Sequence, residues 1–226
     1  MVAALRAVFS DRLRSVVAYG PQVEDGHDGT FSCLALVKSV TVADLEACAT
    51  RTHGWQREGI ATPLLLPEEE FRRSLDAFPL EFGAIIADHV VVAGPNPFET
   101  LRVDPSDIRR ACEVQARSHL LHLREGYLET RGRNDALAVL IVESAAPFAS
   151  LITHLARLER PVGDDAAAAA RQAERTLAVA PGTIAAIVAL VGAREISSAQ
   201  AEALFPPYLE AVEKLVAYVD GWNARA

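Results

Sequence analysis

The texture of this chain changes once, at Asp104, and that change limits what it can fold into. Before it, short β-rich runs alternate with short helical patterns; after it, helical patterns run to the end. A length of 226 residues suits one large domain or two small ones. The texture boundary predicts two, an α/β unit over 1–103 and a helical bundle over 104–226. Half of the residues are hydrophobic, so both parts can bury a core and wholesale disorder is excluded.

In the first part, Ala3 to Arg14 reads as a short amphipathic helix and Ser15 to Tyr19 as a strand ending at Gly20-Pro21. Gln22 to Thr30, with Asp25, Gly26, Asp28 and Gly29, has turn chemistry. Phe31 to Val37 is a second strand, apolar on both faces apart from Ser32, which places it at the sheet centre. A helix is expected from Thr41 or Val42 to Gln56, a third strand over Pro63 to Leu66, and a helix starting at Pro67-Glu68-Glu69-Glu70. Leu80 to Ala87 is expected as a fourth strand and Val90 to Val92 as a fifth, stopping at Gly94-Pro95-Asn96-Pro97.

Asp104-Pro105-Ser106-Asp107 opens the second part as a helix start. That helix is expected to reach about Thr130. A second, Ala136 to Arg160, contains Pro147 and should kink there. Gly163-Asp164-Asp165 is expected to cap the Ala166–Ala170 run. Pro181-Gly182 precedes a helix from Ile184 to Arg194, and Ser197-Ser198 caps a last one, kinked or restarted at Pro206-Pro207. Successive long helices with short connections predict an up-and-down bundle.

Lys and Arg number 22 against 30 Asp and Glu, a net charge of −8, which argues against nucleic acid as the main partner. Cys33, Cys48 and Cys112 have no metal-site or disulfide spacing. Met1 to Arg14 carries charges where a signal peptide needs an apolar core, and the expected most apolar later stretch, Ile184 to Val191, is too short to span a bilayer. A cytoplasmic protein without membrane partners is expected.

Several elements in order carry a family likeness: Ser15–Tyr19 leading into Gly20, the strand Phe31–Val37, Phe78-Pro79-Leu80-Glu81-Phe82, His89 to Pro97, and the helix bearing Glu113, Arg117 and Arg124 before Tyr127-Leu128. Together they resemble the nucleotidyltransferase fold of the polymerase-beta superfamily, in its small bacterial members that add a C-terminal helical bundle, as aminoglycoside nucleotidyltransferases do. The resemblance implies an α+β chain, a small mixed-sheet domain followed by the bundle. It also implies a Gly-Ser turn holding nucleotide phosphates, paired acids two apart on the second strand, and a third acid on a neighbouring strand. Such acids hold Mg²⁺ on the triphosphate and the attacking oxygen.

The active residues depart from that pattern. Gly20 is followed by Pro21, which lacks both an N–H and a hydroxyl. The paired-acid positions fall on Ser32 and Leu34, or in the adjacent register on Phe31 and Cys33. Only Glu81 matches the third acid. Loss of most anionic ligands removes the grip on a hard cation, so the expectation is a catalytically inactive homologue without a metal cofactor. It would bind a nucleotide, another small anionic ligand, a protein or a second copy of itself. The candidate ligand-binding residues are Gly20, Pro21, Glu81, Arg117 and Arg124. The alternative is an active Mg²⁺-dependent enzyme transferring NMP from an NTP to a small-molecule or protein hydroxyl, with Asp25, Asp28 and Glu81 as ligands.

Other groups have structural readings. Glu24, Asp25 and Asp28 form a solvated turn, and His27 is a loop residue. Glu81 would pair with Arg72 or Arg102. Glu113 and Arg117 form an i,i+4 pair, the alternative being an arginine turned toward an anion in a cleft. His119, His122 and His154 pack between the two parts, and Cys33 is a small buried hydrophobe. Trp55 and Trp222 are packing aromatics.

Overall fold

The computed structural model describes residues 1–20, 30–159 and 166–222. The chain divides into two compact units, Met1–Asp104 and Pro105–Ala226.

In the first unit, α1 (Val2–Phe9) and a 3₁₀ turn (Ser10–Arg12) lead into β1 (Leu13–Tyr19). The expected opening helix is therefore shorter and its strand longer. β2 (Ser32–Val37), α2 (Val42–Arg57), β3 (Leu64–Pro67), α3 (Glu68–Arg73), α4 (Pro79–Ala87) and β4 (His89–Ala93) follow. The strands form one sheet in the order β3-β2-β1-β4. β1 runs antiparallel to both β2 and β4, while β2 and β3 are parallel, so the sheet is mixed. β2 lies inside the sheet, as its two apolar faces require.

Leu80 to Ala87 is a helix, not the expected fourth strand. A short apolar run has no decisive period, and Pro79 at the first helical turn was the contrary signal. Helix geometry turns Phe82 and Ile85, three apart, onto one sheet face with Val17, Leu34, Leu36, Phe71 and Phe98. The opposite face buries Val16, Ala35 and Val37 with Leu5 and Phe9 of α1 and Cys48 and Trp55 of α2. Trp55 is thus a packing aromatic.

Arg12 anchors α2. Its guanidinium bonds both Asp44 carboxylate oxygens at 2.7 Å, and Asp44 forms a capping box with Thr41.

The second unit contains α5 (Pro105–Glu129), α6 (Asn134–Glu159), α7 (Ala166–Thr176), α8 (Thr183–Val188) and α9 (Ser198–Gly221). α8 stops well short of the expected Arg194, and α9 runs unbroken through Pro206-Pro207 behind a Ser197–Gln200 capping box. The expected cap at Gly163-Asp164-Asp165 lies outside the described residues. Buried Glu174 accepts from the Gly182 and Ala185 amides at 2.9 and 3.0 Å, satisfying the start of α8.

The most apolar long stretch is in α6, not Ile184 to Val191. Asn134–Ala156 is long and apolar enough to cross a membrane by length and composition. Those apolar side chains have a use within the unit: Ile141, Ala145, Phe148, Leu151, Ile152 and Leu155 are buried where α6 meets α5, α7, α8 and α9.

Candidate functional site

Alternation along β2 sends Ser32 and Leu34 to one sheet face and Cys33 to the other. Ser32 lies opposite Tyr19 on β1 and is half-buried. Leu34 is 0% exposed under an aromatic cap in which the Phe71 ring lies 4.6 Å from Phe82 and 5.4 Å from Phe98. Phe31 makes a single bridge to Ile60 beyond the end of the strand. Cys33 is buried, and burial pushes its thiol up from the ordinary value, so it is an inert core group.

Glu81 occupies the first turn of α4 and is exposed. It therefore sits on a helix rather than on a strand beside β2. Its expected partners are taken elsewhere: Arg72 pairs with Glu68 at 3.1 Å, and Arg102 donates to the Leu101 carbonyl at 2.6 Å. Gly20 follows β1 with φ +98°, a conformation that favours glycine, and among the described residues nothing lies within 4 Å of where a Cβ would project. Pro21, Glu24, Asp25, His27 and Asp28 lie outside the described residues.

Among the described residues, the donor set does not fit the divalent cation that the fold resemblance implies. Ser32, Leu34 and Glu81 offer one carboxylate, exposed on a separate helix, and one leucine sealed in the core. Mg²⁺ asks for near-octahedral oxygen ligands. Among the described residues, no group of three or more His, Cys, Asp or Glu is placed to hold a metal.

The turn after β4 is firmly built. Gly94, at φ +81°, leaves room for β1: a Cβ there would lie 2.1 Å from the Arg14 carbonyl oxygen. The Ser15 hydroxyl donates to the Pro95 carbonyl at 2.6 Å. Asn96 Oδ1 accepts from the Phe98 amide at 2.9 Å and faces His89 Nε2 at 3.2 Å.

In the helical unit, Arg117 and Arg124 are both engaged. Arg117 Nε bonds Glu113 at 3.2 Å, its other end pairs with Asp220, and these carboxylates raise its pKa. Arg124 pairs with Glu213 at 2.7 Å. Both arginines clamp α5 to α9. His122 is exposed, 3.4 Å from Glu125, and His154 lies on α6.

His119 packs inside the helical unit. Its ring stacks on Phe148 at 5.6 Å, and Nε2 lies 2.7 Å from the Tyr208 hydroxyl. That hydroxyl also approaches Ser144 Oγ at 3.1 Å, and the Ser144 hydroxyl donates to the Ile141 carbonyl at 3.0 Å. Burial, with a smaller contribution from His122, lowers His119 to about 4; burial also raises Tyr208. Both rings are neutral near pH 7. Sequence reasoning missed this chain because His119 and Tyr208 lie 89 positions apart.

No family model matches the chain, and no curated protein matches it. Among solved structures it is similar to that of the spectinomycin adenyltransferase AAD(9) from Enterococcus faecialis with ATP and spectinomycin. The TM-score is 0.58 at 11% identity, and the match covers 95% of this chain and 96% of that one. At that identity the likeness concerns backbone architecture, not site residues. A mixed four-stranded sheet followed by a helical region, matched along nearly the whole length, gives this chain an α+β nucleotidyltransferase fold.

Proposed function

We propose that this chain is a nucleotidyltransferase-fold protein that has lost metal-dependent NMP transfer and acts by binding a nucleotide or another small anionic ligand. The observation that carries the reading is Leu34. It occupies one of the two β2 positions where the resemblance expects a carboxylate, and it is wholly buried against Phe71, Phe82 and Phe98. A hydrated cation has no access there, and Ser32 alone cannot replace the pair. The likeness to an adenyltransferase structure containing ATP supports the nucleotide class of ligand. Gly20, directly after β1, is the described residue best suited to a close backbone approach to phosphate.

The test has two arms. Incubation with labelled NTPs and Mg²⁺, over a panel of small-molecule and protein acceptors, should give no transfer above a blank. Thermal melting in NTP without Mg²⁺ should show stabilisation, about 1.4 kcal/mol at tenfold excess over Kd, or about 3–6 °C. Transfer that disappears in Glu81→Ala would establish the active alternative, with Asp25 and Asp28 as its remaining acids. Absence of any NTP-dependent shift would refute nucleotide binding.

A further inference from the structure

A groove of about 540 Å³ lies between α5 and α6, within the size range of small-ligand sites. Gly126 on α5 lets Leu140 on α6 come so close that a Cβ would lie 2.5 Å from Leu140 Cδ1. Two turns along, Pro147 lies inside α6: it has no amide to give the Glu143 carbonyl, and its ring crowds that carbonyl. Glu143 and Pro147 both line the groove.

The lining is specific in character. Val114, Leu123, Leu140 and Leu151 supply apolar walls, and Val114 is 63% exposed. The floor holds His119 and Ser144, tied through Tyr208 and uncharged near pH 7. Glu143 brings a carboxylate with no ion pair among the described residues, and the proline leaves its carbonyl without the usual helix donor. His122 stands at the rim beside Glu125. The groove thus combines an apolar wall, a neutral floor and a carboxylate that forms no ion pair among the described residues.

We infer that this groove binds a small organic ammonium: a protonated amine on a hydrocarbon or aromatic body. The ammonium would meet the Glu143 carboxylate, and the body would cover Leu123, Leu140 and Leu151. This inference concerns the helical unit alone and stands whether or not the nucleotide reading holds.

Benzylammonium, benzyl alcohol and benzoate are suitable probes, read by calorimetry and by amide shifts in ¹⁵N spectra of the full chain. Benzylammonium should bind about fivefold tighter than benzyl alcohol, the upper end for a solvent-accessible ion pair, and benzoate weakest. Shifts should concentrate in 114–123 and 140–151. Glu143→Gln should erase the preference for the cation while leaving benzyl alcohol binding unchanged. Ser150→Trp, at an exposed groove position, should block both probes without touching the core. Equal binding by Glu143→Gln and the unaltered chain, no shifts in these segments at millimolar probe, or a dimer that covers them would overturn the inference.

Discussion

Acidification should weaken the helical unit through one side chain, His119. In the folded chain its ring is held neutral to about pH 4, chiefly by burial and secondarily by His122. In the unfolded chain an ordinary histidine titrates near 6.5. Between those values the unfolded state binds a proton that the folded state refuses. The contribution of neutral His119 is therefore intact above pH 6.5 and falls as pH drops, levelling off below 4. The full difference amounts to about 3 kcal/mol, and about 2 kcal/mol of it is lost between pH 7 and pH 5. His119→Phe keeps the aromatic packing against Phe148, and Tyr208 retains Ser144 as a partner. The variant should be less stable at pH 7 yet lose about 2 kcal/mol less on going to pH 5. Urea unfolding at the two pH values, followed by amide exchange in α5, α6 and α9, measures that difference. A ¹³C-labelled histidine titration reads the ring directly. A His119 midpoint near 6.5, or equal acid sensitivity in His119→Phe, would refute the reasoning.

Three further perturbations probe the first unit. Leu34→Asp, which restores one acid to the β2 pair, should destabilise by at least about 3–5 kcal/mol, since it combines a lost core side chain with a buried charge; a folded variant with gained Mg²⁺ affinity in calorimetry would contradict the assigned burial. Gly94→Ala should cost about 3 kcal/mol or more in denaturant melts, because its Cβ would meet the Arg14 carbonyl at a positive φ; an unchanged midpoint would show that the turn can move. Arg12 and Thr41 hold the Asp44 carboxyl far below the usual carboxylate range, so its stabilising contribution is present above about pH 4 and fades as pH falls toward the depressed folded value. Asp44→Asn should therefore be the weaker protein at pH 7 and approach the unaltered chain near pH 2 in acid melts.

Local signals suffice where they do not depend on distant packing. The helix start around Asp104, the Ser197 cap and the interior place of β2 depend on neighbours a few residues away or on one strand's own pattern. The α4 segment was different. Its apolar run suits a buried strand as well as a helix, and the decision came from packing Phe82 and Ile85 under Phe71. Glu81 changed its meaning with that element: on a strand it would share a rigid face, but at the start of a helix it points to solvent. His119 and Arg117 likewise had ambiguous roles until α9 supplied Tyr208 and Asp220.

The order of residues by itself determined the two-part architecture, the mixed α+β character of the first part and the absence of paired carboxylates near Phe31–Leu34, since composition and periodicity are local properties. Tertiary structure alone decided that Leu34 is sealed, that Glu81 is exposed on a helix, and that a groove lies between α5 and α6. Each of those outcomes depends on which distant side chains share a face, and one-dimensional spacing does not encode that until the chain has closed on itself.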